Sequence, residues 1–124
     1  MHTIQQYHQF VLDFLNAQPQ VREPKNLYEP IHYILGLGGK KIRPVLTLMS
    51  AEIFDATYSK ALPAALAVEV FHNFSLVHDD IMDDAPLRRG NVTVHEKWNI
   101  NTGILSGDAM LILKLDLMLR YQSI

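Results

Sequence analysis

The stretch SKALPAALAVEVFHNFSLVHDDIMD, residues 59–83, decides the fold. After Pro63 it contains neither glycine nor proline, and its apolar residues predict one long, largely apolar helix ending near Asp83. Ser59 suits its N-cap, and Pro63 is tolerated in its first turn. Downstream, residues 84–95 read as a polar loop with Pro86 and Gly90, and Thr102 to Leu119 is again helical in pattern, although Gly103 and Gly107 disfavour helix near its start. Upstream, Pro44 suits the first position of a helix carrying Val45, Leu46, Leu48, Met49 and Ile53. Before it, Ile31, Ile34 and Leu35 mark a short helix that opens at Pro30 and ends at Gly36, Gly38 and Gly39; Ala17 to Glu29 reads as a connector. Ile4, Tyr7, Phe10, Val11, Phe14 and Leu15 recur at three-and-four spacing, an amphipathic helix stopped near Pro19. No repeat or strand alternation interrupts this all-helical pattern, and Val92-Thr93-Val94 is too short to build a sheet.

Composition excludes several functions. The 124 residues suit one domain. With 48% hydrophobic residues, 19% charged and a net charge of −2, the chain has no global bias towards nucleic acid, so functional charge must be local. The absence of cysteine removes disulfides, thiolate metal sites and a Cys nucleophile. The start MHTIQQYHQF lacks the pattern of a signal peptide, and no apolar run approaches the ~20 residues needed to span a bilayer, so a cytoplasmic location is expected.

Charges then stand where a helix disfavours them. Asp79, Asp80, Asp83 and Asp84 crowd a helix C-terminus, against its dipole and against one another. Asp79 and Asp83 lie one turn apart, roughly 6 Å along the axis and on one face, and Asp80 and Asp84 are expected to repeat that arrangement about 100° round. Such an oxygen ledge chelates hard cations, Mg²⁺ above all, which shares one or two carboxylates with substrate phosphates. The bland reading is a solvated acidic helix end.

Lys40, Lys41 and Arg43 reverse the anomaly. Three cations beside Gly38 and Gly39 sit at a helix N-terminus, where an anion is favoured; a basic solvent-facing loop is the alternative. Arg88 and Arg89 offer adjacent guanidinium forks suited to phosphate, or simply neutralise the nearby aspartates. His72 lies two turns before Asp79 on the same face and can donate to a phosphate or serve as a core residue. His78 beside Asp79 makes an apparent His-Asp dyad.

Taken together, GGKKIRP at 38–44, FHNFSLVHDDIMDDAPLRRG at 71–90, TVHEKW at 93–98 and GDAML at 107–111 resemble the trans-isoprenyl diphosphate synthases, or polyprenyl synthetases, over roughly residues 28–113. The spacing from the aspartates to Arg-Arg-Gly is the specific part. The resemblance implies an all-α antiparallel bundle, the first half of the isoprenoid synthase fold, with residues 1–124 as its N-terminal part. It implies that Asp79, Asp80 and Asp83 hold Mg²⁺ bridging to an allylic diphosphate, which Arg88 also contacts, and that Lys40, Arg43, His72 and Arg89 hold isopentenyl diphosphate. Metal would draw off the leaving diphosphate, and apolar walls would keep water from the resulting carbocation. Phe74 and Ser75, five and four residues before Asp79, are similar to geranylgeranyl-type synthases and imply a product of about C20. A homodimer or a longer synthase partner is also implied.

One departure follows. The family is much longer and carries a second Asp-rich motif, whereas Asp116 is the one side-chain carboxylate after Leu111, and the tail ILKLDLMLRYQSI matches less closely. A fragment, truncated gene product or altered reading frame is therefore expected, inactive or nearly so alone. Three alternatives stay open: a non-catalytic partner subunit, a class I terpene cyclase fragment, and a His-Asp metal phosphohydrolase built on His72, His78 and Asp79.

Overall fold

A computed structural model of the chain describes residues 1–18 and 23–122. Among them run six helices: α1 Ile4–Ala17, α2 Lys25–Leu35, α3 Ile42–Ile53, α4 Tyr58–Met82, the single-turn α5 Val94–Lys97, and α6 Ile100–Gln122. Two paired two-residue strands, β1 Leu87–Arg88 and β2 Asn91–Val92, interrupt the loop after α4. The fold is all-α, as the periodicity predicts.

α1 begins with a reciprocal cap: Gln6 N donates to Thr3 Oγ1 at 3.1 Å, while Thr3 N donates to Gln6 Oε1 at 2.8 Å. The expected stop, Pro19, lies outside the described residues. α2 starts earlier than expected. Its first turn is wound from Lys25, leaving Pro30 buried inside the helix rather than at its start. Leu27 and Tyr28 pack on the same core as Ile31, Ile34 and Leu35, which rewards winding this turn. The carbonyl that Pro30 leaves without a donor belongs to exposed Asn26, where water can serve it. α3 likewise begins at Ile42, with Pro44 inside its first turn. α4 starts at Tyr58 with Thr57 as its N-cap rather than Ser59, and the cap makes no side-chain hydrogen bond.

α4 belongs to two cores. Ala61 and Ala65 join Tyr7, Val11, Val45 and Leu48, while Leu66, Ala67, Val70 and Val77 join Ile31, Ile34, Leu35, Val94, Met110 and Leu117. A helix covered from several sides is apolar nearly all round, which accounts for its composition. Ile81 meets α6 near Gly103, His78 meets it at Gly107, and Phe71 lies 5.0 Å beneath the Lys114 ammonium, so α4 and α6 run antiparallel.

The two glycines that disfavour helix in α6 therefore serve packing. A Cβ on Gly103 would stand 2.9 Å from Ile81 Cδ1, and one on Gly107 would overlap the His78 ring. Asn99 Oδ1 accepts from Thr102 N at 2.7 Å, and the helix accordingly begins at Ile100. At the opposite end of the molecule, buried Tyr7 donates to Glu52 Oε1 at 2.5 Å and His2 Nδ1 lies 2.9 Å from the same oxygen. The tyrosine's hydrogen bond holds the Glu52 carboxyl below its usual range. No described helix is long and apolar enough to cross a membrane.

Candidate functional site

The last turn of α4 presents Asp79 and Asp83 to solvent, with Asp83 N donating to Asp79 O at 2.9 Å. They form the one-turn carboxylate pair that the spacing predicts. Asp80 faces the other way and is buried. Arg88 grips it with both prongs, Nε to Oδ2 and Nη2 to Oδ1, each 2.8 Å. That fork raises the Arg88 guanidinium pKa, chiefly through the hydrogen bond. Charge neutralisation is thus what Arg88 does for Asp80, leaving its Nη1 side for another ligand.

The expected second pair, Asp80 with Asp84, does not form. Asp84 lies past the helix end in left-handed backbone, φ 50°, because the chain reverses there into the β1–β2 hairpin. The hairpin turns at Arg89 and Gly90, both with positive φ, in register Leu87 with Val92 and Arg88 with Asn91. This small ribbon carries the two arginines; the run Val92-Thr93-Val94 reads as too short for a strand, yet Val92 pairs with Leu87, since the pairing rests on the turn.

The loop between α2 and α3 faces the hairpin. Gly38, Gly39, Lys40, Arg43, His72 and Arg89 line one cleft of about 380 Å³. Gly39 has φ 115°, backbone that favours glycine, and an added Cβ would stand 2.5 Å from Arg89 Nη1, so a side chain here would push the guanidinium aside. Arg43 Nη1 lies 3.2 Å from His72 Nε2. With arginine the sole donor, Nε2 accepts and Nδ1 bears the proton. Burial first, then Arg43, lowers the His72 pKa, so the ring is neutral at pH 7.

Lys41 corrects the reading of three cations at one helix start. It is 7% exposed, and its Nζ lies 3.3 Å from Glu69 Oε2 and donates to Leu35 O at 3.1 Å. With φ 52° it turns into the core, where a buried carboxylate waits. The separation of 28 residues between Lys41 and Glu69 carries no local signal, so only the packing of α3 on α4 reveals the pair.

His78 does not form a dyad with Asp79. Its ring lies over Gly107, with Nε2 3.4 Å from Ile104 O and 3.8 Å from Asp108 Oδ1, on the α6 side. Phe74 is half-buried between Phe71 and His78, with ring centroids at 5.7 Å and 4.7 Å. Ser75 Oγ donates to His72 O at 2.8 Å.

The donor set suits a hard cation. Asp79 and Asp83 offer oxygen only, and the three predicted aspartates do not converge into a closed cage, since Asp80 is committed to Arg88. Two carboxylates with waters and phosphate oxygens is a usual Mg²⁺ arrangement.

An all-α bundle ending one long helix in paired carboxylates, with a basic cleft beside them, defines a class. A family model, Polyprenyl synthetase, matches residues 24–124, and the chain belongs to that family. The matched range includes the tail ILKLDLMLRYQSI. Geranylgeranyl pyrophosphate synthase of Geoglobus acetivorans is 52% identical over 89 residues, 72% of this chain but 28% of its own length. Geranylgeranyl diphosphate synthase of Methanosarcina mazei is 44% identical over 90 residues, with 73% and 28% covered. A crystal structure of a geranylgeranyl pyrophosphate synthase superposes with TM-score 0.95 at 56% identity, covering 99% of this chain and 38% of that one. The chain thus spans little more than a quarter of the curated relatives' length.

Proposed function

We propose that this chain provides the N-terminal, diphosphate-binding part of a prenyltransferase that condenses isopentenyl diphosphate with an allylic diphosphate. The observation that carries the reading is the shared cleft of Lys40, Arg43, His72 and Arg89, which Leu76 of α4 also lines about one helical turn before the exposed Asp79–Asp83 pair. Two adjoining sites of opposite charge suit two diphosphates, one bound directly by cations and one through a metal.

Lys40, Arg43 and Arg89 hold the diphosphate of isopentenyl diphosphate, and His72 donates to it from its proton-bearing nitrogen. Asp79 and Asp83 would hold Mg²⁺, which supplies charge neutralisation to the departing allylic diphosphate. Asp80 fixes Arg88 so that its free edge points at that diphosphate. Phe74 and Ser75 sit one turn below the aspartates and limit product growth, in keeping with geranylgeranyl-type relatives. The exposed Leu105, Ile112 and Leu115 on α6 support association with a second copy or a longer synthase.

The 124 residues hold one aspartate cluster of this kind, and the chain alone is proposed to bind without turning over. Calorimetry with isopentenyl diphosphate in the absence of metal tests the cleft. Saturable binding that Arg43→Ala weakens about tenfold or more is expected, about 1.4 kcal/mol or more. A terpene cyclase fragment would not bind. Labelled isopentenyl incorporation with farnesyl diphosphate and Mg²⁺ should stay at background for this chain and rise when it is extended by downstream coding sequence.

A further inference from the structure

Outside the cleft, on the far side of the hairpin's base, Asp84, His95 and Glu96 come together. His95 sits on α5 with its side chain 3% exposed, and neither ring nitrogen has a hydrogen-bond partner among the described residues. Buried polar atoms are nearly always matched, so an imidazole with both nitrogens unmatched is unusual. Its Nε2 points between two carboxylates, 4.0 Å from Asp84 Oδ1 and 3.9 Å from Glu96 Oε1, too far for hydrogen bonds. One donor atom from each of the three lies within 4.8 Å of the others. They open on a depression of about 490 Å³ that Trp98 and Asn99 also line.

We propose that Asp84, His95 and Glu96 bind a divalent transition-metal ion of the Zn²⁺ class, at a site separate from Asp79 and Asp83. Zinc–nitrogen and zinc–oxygen bonds of about 2.0–2.2 Å place tetrahedral donors roughly 3.4 Å apart. The observed separations close to that by small rotations of two solvent-facing carboxylates, while the buried imidazole stays fixed. Three protein ligands with a fourth position open to the depression is a familiar zinc arrangement. An imidazole in the set favours zinc over magnesium, which prefers oxygen alone. The two carboxylates balance the ion's charge, and Nε2 gains the partner it lacks.

The placement gives the ion a task. Asp84 and His95 bracket the loop that carries Arg88 and Arg89, so an ion joining them staples the base of the arginine hairpin to α5. With water in the open fourth position, the ion would brace the loop that carries the arginines of the proposed phosphate site, without touching substrate.

The test titrates Zn²⁺ and, separately, Mg²⁺ into the tag-free 124-residue chain after chelator treatment, by calorimetry and thermal unfolding. Asp84→Asn and Glu96→Gln keep shape at exposed positions and preserve the fold. One Zn²⁺ per chain is expected, weakened at least about tenfold by either change and abolished by both, with Asp79→Asn without effect. Zn²⁺ should also raise the unfolding temperature of the parent but not of the double variant. The proposal is overturned if Zn²⁺ binding survives the double change, as it would at the other histidines, or is lost with Asp79→Asn. It is equally overturned if Mg²⁺ binds the site as tightly, or if no stoichiometric Zn²⁺ binding occurs. His95→Gln, checked for native helicity, should match the double variant.

Discussion

At the scale of residues, Lys40 and Lys41 carry the same charge to different ends. Lys40 lines the cleft, whereas Lys41 turns inward because its left-handed backbone aims the side chain at buried Glu69. Removing one member of a buried ion pair strands the other's charge, which costs about 3–5 kcal/mol. Lys41→Met should lower stability to urea by that amount, and adding Glu69→Leu should restore most of it. His72 presents a different case. Its pKa is depressed by burial and by Arg43, so the folded chain disfavours the proton that the unfolded chain accepts. The stability this neutral ring contributes is present above the ordinary histidine pKa of 6.5 and is lost as pH falls below it. A diphosphate in the cleft opposes those cations. NMR titration should show the His72 pKa rising on addition of inorganic diphosphate, and a pKa that stays put would place the anion elsewhere.

Elements explain the glycines. Gly107 weakens α6 by local propensity, and alanine in an exposed helix interior would gain about 1 kcal/mol. Here the missing side chain leaves room for the His78 ring. Gly107→Ala should therefore destabilise by about 1–3 kcal/mol, the range for overpacking, instead of stabilising. Thermal unfolding checks the sign, and His78→Ala together with Gly107→Ala should recover part of the loss. The hairpin is a second case in which local preference was too faint to read. Two-residue strands have little propensity of their own, and the turn at Arg89 and Gly90, with the Asp80 fork gripping Arg88, holds the ribbon in place.

For the whole molecule, α4 is the shared wall of two cores, one built with α1 and α3 and the other with α2, α5 and α6. Leu48 and Met110, both fully buried, belong to different cores. Each mutated to alanine should cost about 2–5 kcal/mol. Because α4 cannot leave one core without opening the other, both variants should shift a single transition seen alike by circular dichroism and by Trp98 fluorescence. Two separate transitions would mean that the cores fold independently.

The sequence by itself determined the all-helical class, the long apolar α4 and the carboxylate pair Asp79 and Asp83, because helical periodicity and charge against a dipole are local properties. Its resemblance to a known family also implied Lys40, Arg43, His72 and Arg89 as anion ligands. Only tertiary structure decided which charges are spent inside the protein. Lys41 with Glu69 and Asp80 with Arg88 pair across elements, and His95 meets Asp84 across the hairpin loop. The early start of α2 was decided the same way, by burial of Leu27 and Tyr28 overriding Pro30. Such choices depend on what a side chain meets in space, and separations of up to 28 residues along the chain leave no periodic trace of it.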